Sequence, residues 1–410
     1  MIEISKPKGF IEIKQTEEEM ALIELQRYIH QNINSKELDL SDRNIDDFIA
    51  QQIAPSIKEC TQLEELNLND NNISTQGIKA ITESISSKNL KVLLVNDNYI
   101  NDAGVQYIAD LMLKQKNLEF LTISHLNINE PENCITNQGA KILAKSIEQA
   151  PMLHTIILSE NSIKNDGLKA IIEAINIHNS VIDLQVDSND IDDLSESAEA
   201  LKNNRSLKKI DFSANNLGDE GAKILSTILE IGNINLAELI LINCEIKDEG
   251  VRYLASALKK NDTLESLFLE SNEIKDQGAE YLATMLETNN ALVMLYLNNN
   301  QITNIGAEFF IKVSKVNITI HFISLDFNKI SDELLQVIDN SLNTVPENLV
   351  QEEIEFNNKR TIDELYDDIT QEELPNKKIK LEDTNQSPIQ TELVGDASSI
   401  NSCVSDLELE

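Results

Sequence analysis

Residues 264–286 of the chain read LESLFLESNEIKDQGAEYLATML. Apolar side chains at the first, fourth and sixth positions predict a short strand that turns them inward, and Asn272 at the ninth position predicts a turn. The Gly-Ala pair at 278–279 then opens a segment whose apolar residues recur at helical spacing. Because one such unit cannot bury its own apolar face, it must stack on copies of itself.

Copies of this unit fill most of the chain at a period of 28 residues, with one insertion and one contraction. Eleven copies align on the turn position, which is occupied by Arg43, Asn71, Asn98, Leu126, Asn161, Asn189, Asn215, Cys244, Asn272, Asn300 and Asn328. We therefore predict an α/β solenoid of about eleven repeats, a horseshoe with parallel strands on the concave face and helices on the convex face.

The recurring asparagine is predicted to have a structural role. Its amide can both donate to and accept from main-chain groups of adjacent coils, so that no buried peptide group is left unpaired. The predicted ladder comprises Asn71, Asn98, Asn161, Asn189, Asn215, Asn272, Asn300 and Asn328, with Cys244 as a small buried substitute. No histidine adjoins Cys244 in the sequence, which favours a structural thiol over a nucleophile.

The points where the repeat pattern begins and ends divide the chain into three predicted segments. Residues 1–35 are expected to form an N-terminal cap, residues 36–344 the repeat domain, and residues 345–410 an acidic, mainly disordered tail. The tail contains 17 acidic and 5 basic side chains. Three of the basic residues, Lys377, Lys378 and Lys380, form a cluster that resembles a nuclear import signal, and an incidental basic run is the alternative.

Two repeats depart from the pattern. Residues 129–135 lengthen one loop, which is predicted to project from a rim of the solenoid, where loops often carry binding specificity. In the sixth repeat Ser195 replaces the usual glycine, and the helical half is short and polar. We expect the solenoid to bend or loosen at this repeat.

Composition excludes several classes of function. The net charge of −36 opposes binding to nucleic acid or to an anionic membrane and favours a basic partner. The four cysteines lack the spacing of a disulfide framework or a zinc site, and no nucleotide-binding, metalloprotease or nucleophile motif occurs. We expect a non-catalytic monomer without cofactor or metal. The first ten residues lack the apolar core of a signal peptide, which indicates the cytoplasm, or the nucleus if the basic cluster is an import signal.

The outward-facing positions of the predicted strands change in character along the chain. The early repeats present acids and amides there, and a small apolar patch of Val92, Leu94, Phe120 and Ile157 follows. The late repeats present the residues predicted to bind a protein partner, which are Ile240, Ile242, Phe268, Glu270, Met294, Tyr296, Phe322, Asp326 and Phe327. The alternative is that a C-terminal helix or the tail covers these side chains.

The unit at 267–286, Leu-x-Leu-x-x-Asn-x-Ile followed by Gly and Leu-Ala-x-x-Leu, resembles the leucine-rich repeat of the ribonuclease-inhibitor type. The resemblance covers roughly residues 36–340 and implies a horseshoe that binds proteins. The same class includes the Ran GTPase-activating protein, and an acidic tail after the repeats is similar to that protein too. A GTPase activator is therefore one alternative to a binding scaffold. A secreted bacterial effector that binds a host protein is another, and it would act in the host cytoplasm.

Overall fold

A computed structural model describes residues 17–125, 134–230 and 235–342. These residues form eleven parallel strands in one open sheet, ordered as they occur in the chain, with a helix after each strand. The predicted α/β solenoid of eleven repeats is confirmed. Some predictions concern residues outside these ranges. They are those for Leu126, for residues 129–133 of the long loop, and for the tail at 345–410 with its lysines Lys377, Lys378 and Lys380.

The strands are three residues long and the helices vary from six to fifteen residues. The strands are β1 Glu37–Asp39, β2 Glu65–Asn67, β3 Val92–Leu94, β4 Phe120–Thr122, β5 Thr155–Ile157, β6 Asp183–Gln185, β7 Lys209–Asp211, β8 Glu238–Ile240, β9 Ser266–Phe268, β10 Met294–Tyr296 and β11 Phe322–Ser324. The helices are α1 Glu17–Gln31, α2 Asp47–Lys58, α3 Thr75–Ser84, α4 Asp102–Lys114, α5 Asn137–Ile147, α6 Lys164–His178, α7 Ala198–Asn203, α8 Gly218–Leu229, α9 Asp248–Leu258, α10 Asp276–Leu286, α11 Asn304–Val313 and α12 Asp332–Ser341.

The core lies between the sheet and the helices. The middle residue of every strand is buried, and in neighbouring strands these residues pair in register, as Leu239, Leu267 and Leu295 do. Side chains alternate in direction along a strand, so the first and third residues of each strand lie on the opposite face. At the N-terminal end, α1 contributes the buried Leu25 and Ile29 to the same core.

The glycine near the start of most helices is needed because the chain passes close to the preceding repeat. A Cβ atom built on Gly278 would lie 2.7 Å from Oδ1 of Asp248 and 2.6 Å from a methyl carbon of Ile274. A larger residue would have to displace the Asp248 carboxylate and the Ile274 methyl group from their contacts with the helix start. The periodic glycine therefore reports close packing between repeats.

A second ladder, formed by aspartates, was not recognised in the sequence. Oδ1 of Asp248, in the first turn of α9, accepts hydrogen bonds from the main-chain N–H groups of Lys275 (2.8 Å) and Gly278 (2.9 Å), at the start of α10. Thus each such carboxylate caps the helix of the following repeat, where unpaired N–H groups favour an anion. The same arrangement occurs at Asp47, Asp102, Asp219 and Asp276. The recurring Asp-x-Gly at 102–104, 219–221, 248–250 and 276–278 is the sequence signal that could have revealed it.

The sixth repeat has the shortest helix of the described residues. Helix α7 has six residues and buries only Leu201, whereas α10 has eleven residues and buries six. Beneath α7 a small apolar cavity is lined by residues that include Leu201, Leu225 and Leu239. None of the helices in the described part of the chain is long and apolar enough to cross a membrane.

Candidate protein-binding surface

The first and third residues of all strands form one surface, which we call the strand face. The row of first residues is Glu37, Glu65, Val92, Phe120, Thr155, Asp183, Lys209, Glu238, Ser266, Met294 and Phe322. The row of third residues is Asp39, Asn67, Leu94, Thr122, Ile157, Gln185, Asp211, Ile240, Phe268, Tyr296 and Ser324. Each residue is in register with its counterpart 26 to 35 positions away, so distant parts of the sequence become neighbours.

Asparagine amides hold the turns that follow the strands. Nδ2 of Asn272 donates to the carbonyl of Leu241 in the preceding repeat at 2.7 Å, and its Oδ1 accepts from the N–H of Ile246 at 2.9 Å. The same donation to the preceding repeat is made by Asn71, Asn98, Asn161, Asn189, Asn215, Asn300 and Asn328. At the corresponding position, Sγ of Cys244 donates to the carbonyl of Phe212 at 3.3 Å. Burial raises the pKa of this thiol, which disfavours the thiolate form that a nucleophile needs.

The residue that precedes the ladder position has a left-handed backbone in ten of the repeats. These residues are Asp42, Asp70, Asp97, Glu160, Ser188, Ala214, Asn243, Ser271, Asn299 and Phe327, with φ between 51° and 58°. Most are short or polar, and Asn and Asp tolerate this conformation better than most non-glycine residues do. Phe327 is the one aromatic residue among them.

The N-terminal end of the strand face is acidic, as its sequence suggested. Glu37 and Asp39 are exposed, and Glu65 and Asn67 on the neighbouring strand are partly exposed. Hydrogen bonds from the hydroxyl and the N–H of Ser41 lower the pKa of Asp39, so this carboxylate is charged at neutral pH. The four residues of the smaller apolar patch lie on β3, β4 and β5 and are all half-buried.

The centre of the strand face has a lysine between two acids. Lys209 is in register with Asp183 on one side and Glu238 on the other, and its Nζ lies 3.1 Å from Oε1 of Glu238. Burial raises the pKa of Asp183, while the charge of Lys209 acts in the opposite direction. Asp211 is also buried on this strand. This part of the surface therefore has more acidic than basic groups.

Three aromatic rings lie side by side at the C-terminal end. The Phe268 and Tyr296 rings stack with centroids 4.3 Å apart and an interplanar angle of 5°, and Tyr296 contacts Phe322 at 5.1 Å. Strands about 4.8 Å apart bring such rings into direct contact. The structure thus brings together rings from three successive repeats, with Phe268 and Tyr296 in the row of third residues and Phe322 in the row of first residues.

The expected exposure of these rings requires a correction. Phe268 is 3% exposed and Tyr296 is 6% exposed, and Ile240, Ile242 and Met294 are buried as well. Rings at stacking distance cover part of one another's faces, and Tyr296 has a neighbouring ring on each side. The accessible members of the predicted set are the half-buried Glu270 and Phe322 and the exposed Asp326 and Phe327.

Eleven in-register strands, an asparagine ladder at eight of the turns and helices behind the sheet define a leucine-rich-repeat solenoid. A family profile described as leucine-rich repeat matches residues 59–81, 149–171, 203–226, 232–255 and 260–283. The chain carries repeats of the ribonuclease-inhibitor type, in agreement with the resemblance seen in its sequence.

The chain spans half or less of the length of the following two similar proteins. Mouse ribonuclease inhibitor is 27% identical over 239 residues, which cover 56% of this chain and 50% of the inhibitor. The mouse NACHT, LRR and PYD domains-containing protein 14 is 25% identical over 232 residues, or 50% of this chain and 23% of that protein. An internalin structure from Listeria monocytogenes aligns with a TM-score of 0.46 at 17% identity, over 78% of this chain and 93% of the internalin chain.

Proposed function

We propose that the chain is a non-catalytic scaffold that binds a protein partner on its strand face. The observation that carries the proposal is the continuous run of eleven aligned strands, in which β1 to β8 and β11 each present at least one exposed or half-buried side chain on the strand face, while those of β9 and β10 are buried. At about 4.8 Å per strand the surface extends about 48 Å, long enough to contact a whole protein domain. Binding sites for small molecules are instead enclosed pockets that bury most of the ligand.

The ladder hydrogen bonds support this proposal because they make the surface rigid before binding. Eight of the turns are tied to the preceding repeat by an amide such as that of Asn272 or Asn300. A surface that is already ordered loses little conformational entropy when a partner binds. Affinity can then come from a small number of well-placed side chains.

The charge of the strand face supports a basic partner. Acids lie at its N-terminal end, at Glu37 and Asp39, and in its centre, at Asp183 and Glu238. Complementary charge accelerates association and makes it sensitive to salt, while apolar contacts supply most of the affinity. The relative named ribonuclease inhibitor takes its name from action on another protein, which agrees with a protein ligand for this chain.

The test compares charge reversal on the two faces of the solenoid. The full chain is used for affinity capture, and the captured protein is purified and titrated against two variants. Glu37→Lys combined with Glu65→Lys alters neighbouring residues of the strand face, and Glu59→Lys combined with Glu83→Lys alters exposed acids behind the sheet. We expect the first variant to bind about tenfold or more weakly and the second to bind normally. Equal losses, or binding that does not respond to salt, would refute the proposal.

A further inference from the structure

Phe327 differs from the residues at the same position of the other repeats. It follows β11 by three residues, is 75% exposed, and has a left-handed backbone with φ of 58°. In the two preceding repeats that left-handed position is occupied by Ser271 and Asn299. A bulky residue with positive φ is a conformational outlier, and such outliers concentrate at sites of function.

Phe327 does little to stabilise the fold. Its side chain is mostly in water, so it gains little from apolar burial. Its backbone conformation is one that asparagine adopts at lower cost, as Asn243 and Asn299 do in other repeats. A residue that is unfavourable for folding on both counts is best explained by a contact with another molecule.

The neighbours of Phe327 indicate the chemistry of that contact. Phe322, on β11, is half-buried and adds aromatic surface. Asp326, the adjacent residue, is exposed. The pKa of Asp339 on α12 is raised, first by burial and then by the negative charge of Asp326, which shows that these two acids are close enough to interact. An exposed aromatic ring next to a carboxylate is complementary to an apolar pocket with a basic rim.

We propose that Phe327 is the anchor of the protein interface, inserted into an apolar pocket of the partner whose rim carries a lysine or arginine that pairs with Asp326. This inference rests on the proposed binding function and adds the location and chemistry of its central contact. It places that contact in the last repeat, since Tyr296, another of the predicted binding residues, is buried.

The experiment uses the full chain with Phe327→Asn and, as a matched control, Phe48→Asn. Phe48 is also a largely exposed phenylalanine, at 63%, but it lies on α2, behind the sheet. The probe is the purified protein captured in the experiment above. We expect Phe327→Asn to weaken binding at least about tenfold and Phe48→Asn to leave it unchanged. Asp326→Asn should reduce the salt dependence of binding, whereas Phe327→Asn should preserve it.

Thermal melting supplies a second readout that needs no partner. Because asparagine suits a left-handed backbone, Phe327→Asn should melt at or above the wild-type temperature. A lower melting temperature would mean that Phe327 serves the fold, and the inference would be overturned. If the Glu37→Lys, Glu65→Lys variant loses binding but Phe327→Asn does not, this inference fails and the proposed function stands. If no protein is captured, or if neither variant loses binding, both are wrong.

Discussion

At the scale of single residues, one asparagine amide satisfies several buried main-chain groups. The Asn272 side chain accepts from two N–H groups of the preceding repeat and donates to three carbonyls. An alanine at this position would leave most of these groups without a hydrogen bond in a site that water reaches poorly. The cost of replacement should therefore exceed that of losing one exposed hydrogen bond.

Asn272→Ala should lower the free energy of unfolding by about 1–3 kcal/mol, the cost of leaving buried polar groups unpaired. Circular dichroism melts and urea titrations of the full chain would measure the change. Lys259→Ala, an exposed position at the C-cap of α9, is the control and should have little effect. Equal stability of the two variants would show that the ladder contributes nothing.

At the scale of elements, the sixth repeat differs from its neighbours. Its sequence replaces glycine with Ser195 and has a polar helical half, and the structure has only the six-residue α7 there. In a solenoid each repeat is held mainly by the repeats next to it, so a short helix weakens two interfaces. Leu201 is the one fully buried residue of α7, beside a small cavity, and Ala200 is only partly buried against the core.

Local opening should therefore occur at α7 before it occurs in a regular repeat. In hydrogen-exchange mass spectrometry of the native chain, we expect amides of α7 to exchange about tenfold or more faster than amides of α10. Helix α10, with eleven residues and six of them buried, is the internal reference. Similar protection of the two helices would mean that the shortened repeat is as stable as the others.

At the scale of the whole molecule, the net charge of −36 acts against folding. It arises from 70 acidic and 34 basic side chains. Repulsion among like charges destabilises a compact chain, and salt screens it over a Debye length of about 10 Å at 0.1 M ionic strength. Salt also weakens attractive ion pairs such as Lys209 with Glu238, and this effect lowers stability. We expect net repulsion to dominate, because acids outnumber bases two to one.

Raising NaCl from about 20 mM to about 300 mM should therefore increase the melting temperature by a few degrees. Differential scanning calorimetry of the full chain would measure it. The same concentrations of KCl should give the same increase, because screening does not depend on which monovalent cation is present. A melting temperature that falls with salt would indicate that local ion pairs outweigh the net repulsion.

The period of 28 residues determined the number of repeats, the alternation of strand and helix, and the parallel sheet. These features could be predicted because each depends on a local apolar pattern that recurs, and one repeat can bury that pattern only against another. The alignment of Phe268 with Tyr296 was predictable for the same reason, since equal spacing places equivalent residues in register, but Phe322 is in register with Met294 and not with Tyr296.

Tertiary structure alone decided which of those side chains remain accessible. Tyr296 is buried and packs against rings that lie 26 and 28 residues away in sequence, whereas Phe327, which the sequence also assigned to an outward position, is exposed. The aspartate ladder is likewise a contact between successive repeats. The sequence period identifies which residues are equivalent. The exposure and the hydrogen bonds of each residue depend on the residues that lie next to it in the folded structure.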